Sequence, residues 1–225
     1  MMSKFSLPIV SMFASCVIAA PDPGQTAKIF YSADMEVPTV STLINAIDDI
    51  NNNKDITKIY LYINSYGGDM DSGLMAAAAI RSSKKPVTTI AMSTIGSSAT
   101  LMLCAAKDRR ALPEGSIYLH PSYTHYEGDV RPNNIKELGQ EVTRFNDMFR
   151  KAYQRCTRLS HERIENFLYS ESNRATFTPD EAIDIGLISK IDQTIIDTPT
   201  PSISRHRINT IAMTEVLGCS RYKHQ

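Results

Sequence analysis

The sequence predicts an α/β domain over residues 28–192, and three observations support this fold class. Strand-like and helix-like segments alternate along the stretch, as expected when strands are buried beneath helices. The segment 59–63 is an unbroken run of apolar and aromatic residues, typical of a strand buried on both faces. The chain has 225 residues, of which 42% are hydrophobic and 21% charged, so one domain with a sizeable core is expected.

The first half of the domain repeats a strand, a turn and a helix. A short strand over 28–31 precedes a helix that Pro38 opens, and one side of that helix carries apolar residues at helical spacing: Val40, Leu43, Ile44, Ile47 and Ile50. The strand 59–63 leads through a glycine turn, residues 64–68, into a small-residue helix over 73–80. The repeat continues with strand 87–92, helix 97–106 and strand 116–119.

A long amphipathic helix follows the polar loop 121–132. Its apolar residues lie on one side: Ile135, Leu138, Val142, Phe145, Phe149, Ala152, Tyr153 and Cys156. So long an apolar side indicates a partner-facing surface, and a helix that lies across its own domain is the alternative. Helices over 160–168 and 178–186 and a strand over 187–191 complete the domain.

The two ends of the chain differ from this domain. Residues 1–27 form an N-terminal arm or a signal-like segment, in which Lys4 precedes an apolar stretch that is too short to span a membrane. We expect a cytoplasmic protein, with export as the alternative. Residues 193–225 are an extension of unknown role. The 24 basic and 24 acidic residues give zero net charge, which argues against nucleic acid as a partner.

The four cysteines are widely spaced and match no metal-binding or redox motif: Cys16, Cys104, Cys156 and Cys219. Cys104 and Cys156 fall in apolar patterns, where free cysteine behaves as a small hydrophobic residue. The sequence therefore predicts buried, reduced thiols. We expect neither a metal nor a cofactor.

Two turns and one histidine follow predicted strands. The glycine turn can present backbone N–H groups to an oxyanion, or be only a tight connection. The segment 95–99, IGSSA, precedes a helix, where a serine serves as an N-cap or a nucleophile. His120 ends the next strand at the same sheet edge, although alone it could be a structural histidine. Serine, histidine and N–H donors are together the parts of an acyl-transfer site.

Four motifs follow one another along the chain: IYLYINSYGG at 59–68, TIAMSTIGSS at 89–98, LPEGSIYLHP at 112–121, and FTPDEA at 177–182 with GLI at 186–188. Their order and spacing resemble the ClpP family, the proteolytic subunit of the ATP-dependent Clp protease, within the crotonase-like fold. The resemblance covers residues 28–192 and implies a repeated β-β-α superhelix with a protruding handle helix. It also implies a serine endopeptidase that cleaves unfolded polypeptides or peptides through an acyl-enzyme.

The resemblance also implies an assembly and a set of site residues. The family forms paired seven-membered rings, and a ring-shaped ATPase unfolds and feeds the substrate. Ser97 matches the nucleophile, with Ser98 as its competitor, and His120 matches the general base. The N–H groups of Gly68 and Ser98 match the oxyanion donors.

Three positions depart from the family's pattern. Tyr66 replaces a proline, Gly96 replaces an alanine, and Arg174 stands at the position of the catalytic aspartate. Arginine cannot accept a hydrogen bond from the histidine, whereas an asparagine carbonyl can, and a one-residue shift brings Asn173 to that position. We therefore expect Asn173 as the third catalytic residue unless Glu171 or another acid reaches the histidine.

The missing aspartate leaves two further hypotheses open. The chain could be a catalytically weak or inactive ClpP-like subunit that contributes only structure to a ring. It could also be an acyl-CoA enzyme of the crotonase type, which uses backbone oxyanion donors. That activity needs no serine and histidine pair, so the presence of both argues against it.

Overall fold

The protein is described from a computed structural model of residues 24–197. Most of the predicted N-terminal segment and most of the predicted extension lie outside these residues, although residues 25–27 of that segment begin strand β1. The strands are β1 (Gln25–Ser32), β2 (Ile56–Ser65), β3 (Val87–Gly96), β4 (Asp108–Ala111), β5 (Ser116–Leu119), β6 (Ala175–Phe177) and β7 (Lys190–Ile191). The helices are α1 (Val37–Asn52), α2 (Met70–Ser82), α3 (Thr100–Ala105), α4 (Pro132–Cys156), α5 (His161–Tyr169) and α6 (Pro179–Asp184), and two 3₁₀ turns span Ser97–Ala99 and Glu171–Asn173.

The strands form one mixed sheet, which confirms the α/β class. Strands β1, β2, β3, β4 and β7 are parallel neighbours in that order. Strand β3 changes its neighbour along its length, because residues 88–91 pair with β4 and residues 94–96 pair with β5. The turns after β2, β3 and β5 therefore lie near one another, at the carboxyl edge of the parallel strands.

The predicted elements are confirmed with small shifts in their ends. Helix α2 begins at Met70 rather than at Gly73, since the Asp69 side chain accepts a hydrogen bond from the backbone N–H of Ser72 at 2.7 Å and caps the helix. Strand β7 contains only the last two residues of the predicted strand 187–191. The pattern did not predict β4 or β6, because strands of four and three residues are too short to display a period.

The long helix α4 has two different halves. Its C-terminal half packs into the main core through Phe145, Phe149 and Tyr153. Its N-terminal half protrudes, and the Ile135 side chain is 63% exposed. The alternative in which the helix lies across its own domain thus holds for the C-terminal half, and a partner-facing surface stays a prediction for the N-terminal half.

The opposite face of the sheet carries a smaller apolar cluster of Tyr62, Ile90 and Leu112. Ile196, in the first part of the predicted extension, packs against this cluster. Both backbone polar groups of Ile196 are hydrogen-bonded, because Lys28 Nζ donates to its carbonyl and its N–H donates to the Tyr62 hydroxyl, each at 3.0 Å. No helix among residues 24–197 is long and apolar enough to cross a membrane.

The prediction of reduced thiols is wrong for one pair, because Cys104 and Cys156 form a disulfide. The end of α3 packs against the end of α4, and the Cα atoms of the two cysteines are 5.3 Å apart, within the usual disulfide range. A separation of 52 residues concealed this pairing in the sequence. Cys16 and Cys219 lie outside the described residues.

We expect the disulfide to stabilise the fold substantially. Closing a loop of this length in the unfolded chain corresponds to roughly 4 kcal/mol of lost entropy, and measured effects are usually about 2–4 kcal/mol. Replacing both Cys104 and Cys156 by serine should therefore lower the unfolding free energy by about 2–4 kcal/mol. Thermal unfolding with and without a reductant measures this. The wild type should lose stability in reductant and the double variant should not; equal reductant sensitivity would contradict the bond.

Candidate active site

Ser97 follows the last residue of β3 and has a left-handed backbone conformation. Its φ of +51° is the only positive value of a non-glycine residue among those described. A side chain in this region is strained, and such strain is found mostly at functional sites, including the turns that present nucleophiles. The Ser97 side chain is partly accessible, as a nucleophile must be.

Ser98, the competing serine, has a different environment. It is completely buried, and its hydroxyl donates to the Gly68 carbonyl at 3.1 Å. Its side chain therefore connects the glycine turn to the turn after β3. Its backbone N–H lies at the start of a helical segment, where N–H groups have no partner within the helix. The geometry therefore favours Ser97 as the residue whose side chain is the nucleophile, and Ser98 as the residue whose backbone N–H is an oxyanion donor.

The glycine turn lies directly against Ser97. A Cβ atom built on Gly67 would be 2.4 Å from the Cβ of Ser97, so only glycine allows this approach. Gly68 forms an isolated parallel bridge with Met35, which uses the carbonyl of Gly67 and the N–H of Asp69. In such a bridge the N–H of Gly68 points to the other side of the chain, away from Met35, and is available to a ligand.

His120 is brought to Ser97 by the pairing of β3 with β5. Gly96 is paired with Tyr118, so Ser97 and His120 lie one and two residues beyond a matched position on neighbouring parallel strands. The His120 ring is buried, and its Nε2 atom has no hydrogen-bond partner among the described residues. The hydrogen bond expected between Ser97 and His120 is thus not formed here, as is common in catalytic sites without substrate.

The carboxylate beside His120 belongs to Glu171. Its Oε2 atom is 2.7 Å from His120 Nδ1, a hydrogen-bonded contact in which the imidazole N–H donates. Burial acts to raise the pKa of Glu171, but the hydrogen bond and charge of His120 and the charge of Arg174 outweigh it. The pKa of Glu171 is therefore below its usual value, and the carboxylate stays ionised at neutral pH.

The predicted contact between Asn173 and His120 is not formed. The Asn173 side-chain amide donates instead to the Asn166 carbonyl at 2.9 Å. In a 3₁₀ turn, residues three apart in the sequence lie on the same side. Glu171 and Arg174 therefore lie on one side of this turn, and Asn173 lies on a different side. Glu171, the alternative to Asn173 that the sequence analysis left open, is thus the residue that contacts His120.

The described residues 24–197 contain no cluster of three or more histidine, cysteine or acidic side chains that could bind a metal ion. The site brings together three kinds of protein group. These groups are a strained serine, a histidine paired to a carboxylate, and two backbone N–H groups. Together they correspond to the parts of a serine-dependent acyl-transfer site.

Comparison with known proteins gives matches over this same region. A family model described as Clp protease matches residues 24–194. The ATP-dependent Clp protease proteolytic subunit of Deinococcus radiodurans is 28% identical over 170 residues, which cover 74% of this chain and 80% of that protein. The subunit of the same name from Dehalococcoides mccartyi is 32% identical over 143 residues, or 62% of this chain and 67% of that protein.

A solved structure has a similar fold. A mutant of ClpP1 from Listeria monocytogenes superimposes with a TM-score of 0.62 over 74% of this chain and 91% of that chain. The sequence identity is 17%, so this likeness concerns the fold alone.

Proposed function

The chain belongs to the Clp protease family, and on this premise we propose that it is a serine endopeptidase in which Ser97, His120 and Glu171 perform peptide hydrolysis. The family is one of serine hydrolases, and the finer assignment of residues is our proposal. Glu171 takes the place that the sequence led us to assign to Asn173.

The proposed reaction uses each group in turn. Ser97 Oγ attacks the substrate carbonyl while His120 Nε2 takes its proton, and the N–H groups of Gly68 and Ser98 bind the resulting oxyanion. Glu171 stabilises the imidazolium and holds its tautomer. His120 then returns the proton to the leaving amine, and water releases the acyl group from the serine by the same steps in reverse.

The observation that carries this proposal is the state of the two His120 nitrogens. Nδ1 is hydrogen-bonded to a carboxylate, and Nε2 is buried without a partner at the edge where Ser97 lies. A buried nitrogen without a partner costs about 1–3 kcal/mol, so a purely structural histidine would be expected to satisfy it. The arrangement supports an active subunit over the silent one.

A ring-forming homo-oligomer is proposed for the assembly, with paired heptameric rings as its specific form. The N-terminal half of α4 supports this, because Ile135 is exposed and none of the described apolar residues of the helix before Phe145 is buried. The relatives' names state that they are ATP-dependent, so we propose a ring-shaped ATPase unfoldase as partner and unfolded polypeptides as substrates.

The disulfide bears on the compartment. Stable disulfides persist mainly in oxidising compartments, so the bond between Cys104 and Cys156 favours the exported alternative, whereas the ATPase partner proposed above needs ATP and favours the cytoplasmic one. The signal-like residues that first suggested export lie outside the described residues.

Hydrolysis by the assembled protein tests the function. We expect the wild type to cleave both a short fluorogenic peptide and an unfolded protein, and a fluorophosphonate to abolish both activities together. Inhibition should reach completion at one inhibitor per chain, because one serine per chain is proposed to react. Oligomer without hydrolysis of either substrate would instead support the silent structural subunit. Retention of activity after complete fluorophosphonate treatment would contradict the serine mechanism.

A further inference from the structure

The three positions at which the sequence departs from its family meet at one side chain, that of Tyr118 on β5. The first is Gly96, which is paired with Tyr118 on the neighbouring strand. A Cβ atom built on Gly96 would lie 1.8 Å from Cζ of the Tyr118 ring. The ring thus occupies the space that the side chain of an alanine would fill. Glycine at position 96 is required by this tyrosine.

The second departure is Tyr66, which directly precedes Gly67, the glycine that packs against Ser97. A proline at this position would fix the backbone φ by its ring. Tyr66 lacks that restraint, but its carbonyl accepts a hydrogen bond from the Tyr118 hydroxyl at 2.6 Å. Burial raises the pKa of Tyr118 above its ordinary value, so its hydroxyl is protonated and able to donate at neutral pH. This hydrogen bond therefore provides the restraint on the turn that a proline at position 66 would otherwise provide.

The third departure is Arg174, at the position of the family's aspartate. Its guanidinium carbon lies 3.8 Å from the centre of the Tyr118 ring, and its Nη1 is 3.3 Å from Oε1 of Glu171. The other carboxylate oxygen of Glu171 contacts His120. The acid that contacts His120 thus lies three residues before the position of the family's aspartate, and the cation at that position contacts its second oxygen.

We infer that Tyr118 and Arg174 are positioning residues that fix the glycine turn and the Glu171 carboxylate, an inference that rests on the proposed peptidase function. Neither residue touches the reacting atoms. One ring supports both halves of the site: its edge hydroxyl holds the turn that carries the oxyanion donor, and its face holds the arginine that orients the acid. The three departures are one coupled replacement of the proline, alanine and aspartate of the family.

The hydroxyl is tested by Tyr118→Phe, which keeps the ring. We expect kcat to fall about tenfold with KM nearly unchanged, because the turn acts on the oxyanion of the transition state rather than on the bound substrate. Adding Tyr66→Pro to this variant should recover most of the loss, since proline restrains the turn itself. If the double variant is no more active than Tyr118→Phe, the hydroxyl does not have this function.

The arginine is tested by Arg174→Ala, for which we expect a loss of about three- to fivefold in kcat, because its ion pair with Glu171 is largely exposed to solvent. Arg163→Ala is the matched control, because it removes an arginine that lies over Phe167, away from the site. Glu171→Gln combined with Arg174→Asp returns an acid to the family's position and should be at least about tenfold more active than Glu171→Gln alone. If this double variant is no more active than Glu171→Gln, Glu171 does not serve in place of the family's aspartate.

Different results contradict the proposed peptidase function and the positioning roles of Tyr118 and Arg174. An assembled wild type that cleaves nothing contradicts the function. An active wild type whose kcat is unaffected by Tyr118→Phe and by Arg174→Ala contradicts the inference alone. Thermal unfolding of each variant identifies losses that come from misfolding, and Tyr118→Phe, which removes a single oxygen atom, decides the matter if Arg174→Ala is unstable.

Discussion

Ser97→Ala is expected to lower kcat/KM for peptide hydrolysis by about 10⁴-fold or more, to the level supported by binding and the oxyanion donors alone. The reason is chemical, because the acyl-enzyme cannot form without the serine oxygen. The fold should be retained, since alanine replaces a partly accessible side chain. Steady-state kinetics on a fluorogenic peptide, with the oligomeric state checked by size-exclusion chromatography, measure this effect.

Ser98→Ala is the matched comparison at the adjacent position. It removes the hydrogen bond to the Gly68 carbonyl but keeps the backbone N–H that we assign to the oxyanion. We expect a loss of no more than about tenfold, corresponding to one neutral hydrogen bond. The reverse result, with Ser98→Ala inactive and Ser97→Ala active, would show that the register of the nucleophile is wrong.

Glu171→Gln is expected to lower kcat by about 10²–10³-fold. Loss of the charge that stabilises the imidazolium of a buried triad lowers kcat by about 10⁴-fold. The side chain of Glu171 is 60% exposed, so solvent screens part of its charge and the expected effect is smaller. The contribution of the carboxylate is present above its lowered pKa and is lost only as the pH falls through that value.

Asn173→Ala provides the comparison for this prediction. Its amide contacts Asn166 and not His120, so we expect kcat within about twofold of the wild type. A large loss in Asn173→Ala with an active Glu171→Gln would restore our sequence-based assignment.

The sequence was sufficient for the fold because the elements near the site have strong local signals. The run of apolar residues in β2 and the apolar stripe of α1 identify buried elements without reference to the rest of the chain. Glycines 67 and 68 mark a turn that no other residue could form so close to Ser97. Family resemblance then added the handle helix and the order of the site residues.

The remaining features depend on contacts between distant segments. The choice of Glu171 over Asn173 follows from the rotation of a short 3₁₀ turn, which the sequence does not specify. The disulfide depends on the packing of α3 against α4. The need for glycine at position 96 depends on the Tyr118 ring, which comes from a neighbouring strand and occupies the space beside it. The roles of these residues follow from contacts with partners that are distant in the sequence.

The central claim is that Ser97 of the assembled protein is an activated nucleophile. Intact-protein mass spectrometry after fluorophosphonate treatment, followed by mapping of the modified peptide, tests it most directly. We predict one adduct per chain on Ser97, retained in Ser98→Ala and absent in Ser97→Ala. An assembled wild type that takes up no label, or takes it up on another residue, would contradict it.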